Sequence, residues 1–406
     1  MIELNEKSIV KIDGDVSSPK GFEAKGIHIG LRYSKKDLGL IVSEVPAASA
    51  AVYTQSHFQA APLKVTQQSL KKTGQLKGVI VNSAIANACT GEQGLKDAYD
   101  MQAACADMLG VVPDYIAVSS TGVIGECLEM DKIKKGIAEL KEAKAEKGHF
   151  EEAILTTDTV IKNTTYTLTI DGKEIIISGA AKGSGMIHPN MATMLGFVTT
   201  DANVEQEALQ QALRDITDVT FNQITVDGET STNDMVLVMA NGMAENDVLN
   251  EEHPEWPLFK EGLKLACEDL AKEIARDGEG ATKLIEAKVA GAKNNLEAGI
   301  IAKKIVGSSL VKTAVYGTDA NWGRIVGAIG HSAASVTPEE VEVYLGGQCL
   351  FKHNEPQPFS EEEAKAYLEQ DEITIFIQMS EGNGEAAAWG CDLTYDYVKI
   401  NASYRT

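Results

Sequence analysis

Residues 165–179, TYTLTIDGKEIIISG, alternate apolar and polar side chains on either side of an Asp171-Gly172 pair. Alternation with period two turns one face of each run toward a core. An Asp-Gly pair tolerates the positive φ angles that a two-residue hairpin turn demands. This hairpin near the middle of the chain excludes an all-helical fold. An all-β fold is excluded by helical spacing elsewhere. Ala208, Leu209, Ala212, Leu213 and Ile216 fall on one helix face, and Pro257 to Arg276 form a longer amphipathic run stopped by DGEG.

Further buried strands are expected in GVIVNSAIAN (78–87), DYIAVSSTGVIG (114–125) and DMVLVMANG (234–242), with a helix carrying Leu95, Ala98, Tyr99, Cys105, Met108 and Leu109 between the first two. Strands and helices that alternate along the chain give the class α/β or α+β. The 406 residues exceed what one simple core organises, so two lobes are expected. Beyond about Lys283 the texture changes to short strands and turns, ending in DLTYDYVKINASYRT. The boundary is placed near Glu286, giving lobes 1–285 and 286–406.

The formal charge of −22 repels phosphate backbones and anionic membrane surfaces, so neither nucleic acid nor membrane is an expected partner. An anionic small substrate would need a local cation. Six cysteines without a C-x-x-C pair favour reduced thiols and a cytoplasmic setting, and MIELNEKSIVKIDGDV has no export or import character. Seven dispersed histidines offer no metal-ligand spacing, and no metal or cofactor is expected. The P-loop, the dinucleotide-binding glycine pattern, H-E-x-x-H and G-x-S-x-G are all missing, and Ser184 in KGSG reads most simply as part of a flexible turn.

What remains is AAKGSGMIHPNMATMLGFVTTDA, 180–202. Glycines flank Ser184, Pro189 stiffens the turn, and small Ala192 precedes Thr193 at the start of a strand. A threonine hydroxyl is a weak nucleophile without a base in reach. If the Ala192–Thr193 bond is cut, Thr193 acquires an α-amine of pKa about 7.7–8, able to take the proton of its own hydroxyl. On pattern alone, a turn in which Thr193 only satisfies backbone groups is the commoner role for such a residue.

The segment 182–202 resembles the signature of the ornithine acetyltransferase (glutamate N-acetyltransferase) family. So do VNSAIANACTG (81–91), SSTGVIG (119–125), FNQITVDGETSTND (221–234), ARDGEGATK (275–283), YGTDANWGRI (316–325) and the terminal NASYRT, all in order. The resemblance implies an αββα sandwich carrying an N-terminal-nucleophile threonine, with a smaller C-terminal α+β domain. It also implies self-cleavage into 1–192 and 193–406 and an α2β2 assembly of the two fragments.

By the same resemblance, acetyl passes from N-acetylornithine to Thr193 and then to glutamate in a ping-pong scheme within arginine biosynthesis. Some members also accept acetyl-CoA. Thr121 and Gly122 map onto the oxyanion hole, and Thr156, Lys182, Thr193, Glu279, Asn401 and Thr406 onto substrate binding. The residues read alone are compatible with these roles: Ser-Ser-Thr-Gly at a strand end can present a hydroxyl and an N–H, or can simply be a glycine turn. Lys182 is the cation nearest Thr193 in sequence. Two other readings stay open at this level: an amidase or aminopeptidase with the same threonine machinery, and a binding module with no processing.

Overall fold

The computed structural model describes residues 9–188 and 194–403, and Ala192, Thr193 and Thr406 lie outside the described residues. The protein is mixed α/β. The chain opens with β1 (Ile9–Ile12), β2 (Phe22–Ile27), β3 (Leu38–Tyr53), α1 (Ala61–Thr73), β4 (Gln75–Asn82) and α2 (Gly91–Leu109). It continues through β5 (Ile116–Ser120), α3 (Met130–Glu142), α4 (His149–Ile154), β6 (Lys162–Ile170), β7 (Lys173–Lys182) and β8 (Leu195–Thr200). Next come α5 (Gln206–Val219), β9 (Ile224–Thr225), β10 (Met235–Ala240), α6 (Trp256–Arg276) and β11 (Leu284–Ala292). The remainder is α7 (Asn295–Val306), α8 (Ser309–Tyr316), α9 (Trp322–Gly330), β12 (Glu342–Leu345), β13 (Gln348–Lys352), β14 (Glu355–Pro356), α10 (Glu361–Leu368), β15 (Glu372–Gln378), β16 (Gly384–Cys391) and α11 (Tyr395–Ser403).

Among the described residues the strands form a nine-stranded sheet in the order β1-β6-β7-β8-β10-β3-β4-β5, with β2 also on β3, and a seven-stranded sheet in the order β14-β13-β12-β15-β11-β16-β9. The hairpin is as its sequence predicts: β6 and β7 pair from Ile170↔Lys173 outward, and Asp171 and Gly172 take φ of 53° and 69°.

Long β3 belongs to both halves of the first sheet. Its C-terminal end pairs with β10, while β2 and β4 take its N-terminal end, with a break in register between Val42 and Ala47. That irregularity folds the sheet back on itself, because both halves line one core. Ala24, Ile41, Val79 and Ala117 from one half share a cluster with Ala180, Phe197 and Leu237 from the other. Strand alternation then sends the next residues outward. Leu168, Ile177, Val198 and Val236 pack on Leu209 and Leu213 of α5 and on Leu263 and Leu270 of α6. On the opposite outer face, Leu38, Leu40, Ile80 and Val118 pack on Ala98, Met101 and Cys105 of α2 and on Ile133 and Ile137 of α3. Each such large side chain, once removed from water, contributes about 1.5–3 kcal/mol.

The C-terminal third departs from the expectation of short strands and turns, since five helices, α7 to α11, lie there among the described residues. The tail read as strand and turn is α11. Glu286 falls within β11, and two-residue β9, well before that point, pairs in parallel with Trp389 and Gly390 of β16. The second sheet therefore recruits residues from both sides of the expected boundary. No helix among the described residues is long and apolar enough to cross a membrane.

Candidate active site

Five strand ends converge at one end of the first sheet. Parallel β4 and β5 end at Asn82 and Ser120; antiparallel β7 ends at Lys182 as β8 begins at Leu195; and β10, parallel to β8, begins at Met235. Between them lies a cavity of about 190 Å³ lined by Thr121, Gly122, Thr156, Lys182, Glu279 and Asn401, together with Asp227, Asn233 and Tyr397. Every predicted site residue that the structure describes is thus brought to one cavity. Ala192, Thr193 and Thr406 are outside the described residues, but Met194 lines a smaller cavity of about 20 Å³ that shares Thr121, Lys182, Gly185, Met186, Ser231 and Asn233 with the first.

Thr121 and Gly122 are held by their neighbours, and among the described residues the Thr121 hydroxyl and Gly122 N–H are left free. Thr121 N–H donates to the Asn82 carbonyl (2.9 Å), and Val123 N–H to that of Ala84 (3.0 Å). Asn82 braces both loops, donating to Ser120 Oγ at 2.6 Å and accepting from Ile85 N–H at 3.1 Å. Asn233 ties them again, donating to the Ala86 carbonyl at 2.6 Å and the Ser120 carbonyl at 2.7 Å. Gly122 has φ of 129°, and a Cβ there would stand 2.1 Å from the Ala84 carbonyl oxygen, so only glycine fits. Neither the Thr121 hydroxyl nor the Gly122 N–H makes a hydrogen bond among the described residues. Two unpaired donors beside a cavity suit a developing oxyanion.

Lys182 is buried, at 8% exposure, and its ammonium makes no hydrogen bond or ion pair among the described residues. Burial lowers its pKa and so does Lys162, while Asp158, Asp234 and Glu279 oppose the shift; the net direction is down. A bound carboxylate against the ammonium would add to the carboxylates that favour its charged form. Among the described residues that line this cavity, Lys182 is the cation.

A buried ion triad holds the walls, and sequence reading missed it. Lys162, at 0% exposure, donates to Asp158 at 2.7 Å and to Asp277 at 2.6 Å. Asp158 also accepts from Gly183 N–H at 2.6 Å and Thr156 N–H at 2.9 Å. Burial alone would raise the Asp158 carboxyl, yet Lys182, Lys162 and the Gly183 N–H together hold it well below the ordinary carboxylate range. Asp277 carries the constraint onward, its carbonyl accepting from Ser184 Oγ at 2.6 Å while the Ser184 carbonyl accepts from Glu279 N–H at 3.0 Å. Ser184 is therefore a buried strut rather than part of a flexible turn.

Glu279 accepts from Asn401 Nδ2 at 2.8 Å, joining the loop after α6 to α11. A Cβ on Gly185 would meet the Glu279 carboxylate at 2.4–2.5 Å, and one on Gly280, at φ of 72°, would meet Tyr397 N at 2.6 Å. Asp227 accepts from Met186 N–H (2.7 Å) and Ile187 N–H (2.9 Å), fixing the approach to the undescribed segment. Burial, with the Asp227 and Glu279 charges beside it, pushes the Tyr397 phenol up to about 12, so it stays a donor at neutral pH. Asp227, Asp234, Asn233 and Tyr397 escape sequence reading. Their one signal is position, in or beside segments that resemble the family.

A wider groove of about 850 Å³ is lined in part by Asp277, Gly278 and Gly280 of the DGEG loop. It holds none of the predicted residues, and its Arg276 is paired with Glu372 at 2.7 Å. Chemistry points to the smaller cavity.

Comparison with known proteins places the chain in a family. The ArgJ family matches residues 23–406. The chain is 77% identical to the arginine biosynthesis bifunctional protein ArgJ of Bacillus subtilis (strain 168) over 406 residues, all of both chains. The crystal structure of arginine biosynthesis bifunctional protein argJ from Bacillus halodurans matches at 62% identity and TM-score 0.51, covering 51% of this chain and 98% of that one. The ornithine acetyltransferase of Mycobacterium tuberculosis, complexed with ornithine, matches at 36% identity and TM-score 0.42, covering 45% of this chain and 100% of that one. With the family matched over nearly its whole length, this chain belongs to the ArgJ family.

Proposed function

We propose that this protein is a self-cleaving acetyltransferase of arginine biosynthesis, carrying acetyl from N2-acetylornithine to glutamate through an ester on Thr193. The observation that carries this reading is the meeting of two unpaired oxyanion donors, Thr121 and Gly122, with Lys182, Glu279 and Asn401 in one cavity beside Met194. The Thr193 hydroxyl attacks the acetyl carbonyl and passes its proton to the freed α-amine. Thr121 O–H and Gly122 N–H take up the negative charge that develops on the carbonyl oxygen. The carbon–nitrogen bond breaks, the departing ornithine amine takes the proton, and the glutamate amine repeats the steps in reverse. Lys182 holds a substrate carboxylate; Glu279 and Asn401 serve the amino-acid head group, as does Thr406. Thr156 lines the same cavity.

Sheet order supports survival of the fold after scission between Ala192 and Thr193. Strands β8 and β10 of fragment 193–406 lie between β7 and β3 of fragment 1–192, so ladder hydrogen bonds join the fragments on both sides. The solved Bacillus halodurans chain, almost wholly covered by only 51% of this one, has the length expected of such a fragment. Helices packed against both halves of the first sheet support reading the larger part of the chain, expected as 1–285, as an αββα sandwich with a smaller C-terminal domain. Acetyl-CoA as a second donor fits the word bifunctional in the relatives' names. An α2β2 assembly and a cytoplasmic setting, where the six free thiols stay reduced, complete the proposal.

Ornithine release from N-acetylornithine, followed with and without glutamate, tests it. Release should stop near one equivalent per site without glutamate and turn over with it. Sustained release without an acceptor would identify a hydrolase instead.

A further inference from the structure

The second sheet delivers two of the proposed substrate residues from neighbouring strand ends. Strands β11 and β16 are antiparallel partners, and Leu284, where β11 begins, stands opposite Cys391, where β16 ends. The loop that carries Glu279 runs into the first strand, and the segment that leads to α11 and Asn401 runs out of the second. How well Glu279 and Asn401 meet therefore depends on how these two segments are joined. The question rests on the reading of both as substrate residues, given above.

Apolar packing supplies little of the join. No residue of α11 is buried, so burial does little to fix where the helix lies. Tyr395 of α11 meets Tyr316 of α8 edge to face, with ring centroids 6.0 Å apart, and the other holds are polar. Asp392 and Thr394, between β16 and α11, are buried at 3% and 7% exposure. The Asp392 carboxylate accepts from Thr282 N–H at 2.8 Å, from the Thr282 hydroxyl at 2.5 Å and from Lys283 N–H at 2.9 Å. The Thr394 hydroxyl donates to the carbonyl of Gly280, the residue after Glu279, at 2.6 Å and accepts from Asp396 N–H at 3.2 Å. Among the described residues, every hydrogen bond of these two side chains goes to the Glu279 loop or to the first turn of α11. Buried Lys312 of α8 anchors the segment from behind, donating to the Cys391 carbonyl at 2.5 Å.

We propose that Asp392 and Thr394 are positioning residues for substrate binding, locking the Glu279 loop onto the start of α11 and so setting the 2.8 Å contact between Glu279 and Asn401. Neither lines the substrate cavity, so each acts through Glu279 and Asn401. Thr121 and Gly122 are braced separately, by Asn82 and Asn233, and stay in place when this clamp is loosened. Donor and acceptor amino acids meet the same Glu279 and Asn401, so both KM values move together.

The test is steady-state kinetics with N-acetylornithine and glutamate. Thr394→Val should raise KM for both about 5-fold or more and leave kcat unchanged, with thermal unfolding within a few degrees of the parent. Thr394→Ser, which keeps the hydroxyl, should restore the parent values. Asp392→Ala should act in the same direction, and Asp392→Asn, which keeps one carbonyl acceptor, should recover part of the loss. A double-mutant cycle separates positioning from general loosening: with Asn401→Ala already present, Thr394→Val should add little, because the contact it sets is gone. Parent KM values in Thr394→Val overturn the proposal, as does a loss confined to kcat or one that multiplies in full with that of Asn401→Ala. If Thr394→Val does not fold, the same cycle with Asp392→Asn decides by the same criterion. Parent KM values in both Glu279→Gln and Asn401→Ala are a separate outcome: they contradict the substrate roles of those two residues, and the positioning role falls with them.

Discussion

Replacing Lys162 with methionine should show how much of the active site hangs on the buried triad. Lys162 is fully buried and is the shared partner of Asp158 and Asp277. Methionine fills similar space and leaves two carboxylates facing each other without the cation. Removing one partner of a buried pair typically costs about 3–5 kcal/mol, a factor of roughly 10² to 10³ or more in the folded-to-unfolded ratio. The cost should depend on pH in a defined direction. In the parent, Asp158 is held well below the ordinary carboxylate range, so its contribution is fully present above the unfolded value of about 3.9. That contribution is lost only as pH falls through the lower folded value. Without Lys162, burial is left opposed by Lys182 and the Gly183 and Thr156 N–H groups, the folded value rises, and the loss begins at higher pH. Urea unfolding at pH 8, 6, 5 and 4 reads this out as the midpoint of each protein, the variant's falling earlier. KM for N-acetylornithine should rise too, because Asp158 holds the Thr156 and Gly183 N–H groups. Midpoints within about 1 kcal/mol of the parent at every pH, with unchanged KM, would refute the claim that the triad supports the site.

Other substitutions probe separate parts of the account. Thr121→Val should lower kcat about 10²- to 10³-fold with little change in KM, since the hydroxyl is needed only as charge develops; a pure KM effect in steady-state kinetics would remove it from the oxyanion hole. Gly185→Ala should push Glu279 away from Asn401 and raise KM for both amino-acid substrates; an unchanged KM would show that Glu279 does not serve the head group. Glu151 lies buried against Val16, and burial pushes its carboxyl up to about 7. A folded value raised above the unfolded one of about 4.3 means stability that is full at pH 4 and lost as pH rises to 7. Glu151→Gln should therefore be more stable than the parent at pH 8, by up to about 3 kcal/mol, and no more stable at pH 4; equal thermal midpoints at pH 8 would contradict this.

Legibility in the sequence followed the strength of local chemistry. The Asp171-Gly172 turn, the continuous apolar run of β10 and the 21-residue α6 with its DGEG stop each carry a period or a breaker that tertiary packing reinforces. The C-terminal third misled because its helices are short and many of their residues apolar. WGRIVGAIG (α9) and NLEAGIIAKKIV (α7) read as strand fragments when periodicity is sought over few residues. Two-residue β9 has no signal of its own. At the site, Lys182, Thr121 and Gly122 entered through the family resemblance, and the structure brings them to one cavity. Lys162, Asp158 and Asp277 were not legible, since charged residues far apart in sequence read as solvated until a fold buries them together. Asp234 offered only a charge at the mouth of an apolar strand.

The central claim is that Thr193, freed by scission, carries the acetyl group. Intact-mass measurement of the protein mixed with N-acetylornithine, before and after glutamate is added, tests it directly. The account predicts two fragments, 1–192 and 193–406, with one acetyl group gained by the second alone and lost again on addition of glutamate. An unsplit chain, or an acetyl group found only on residues 1–192, would contradict it.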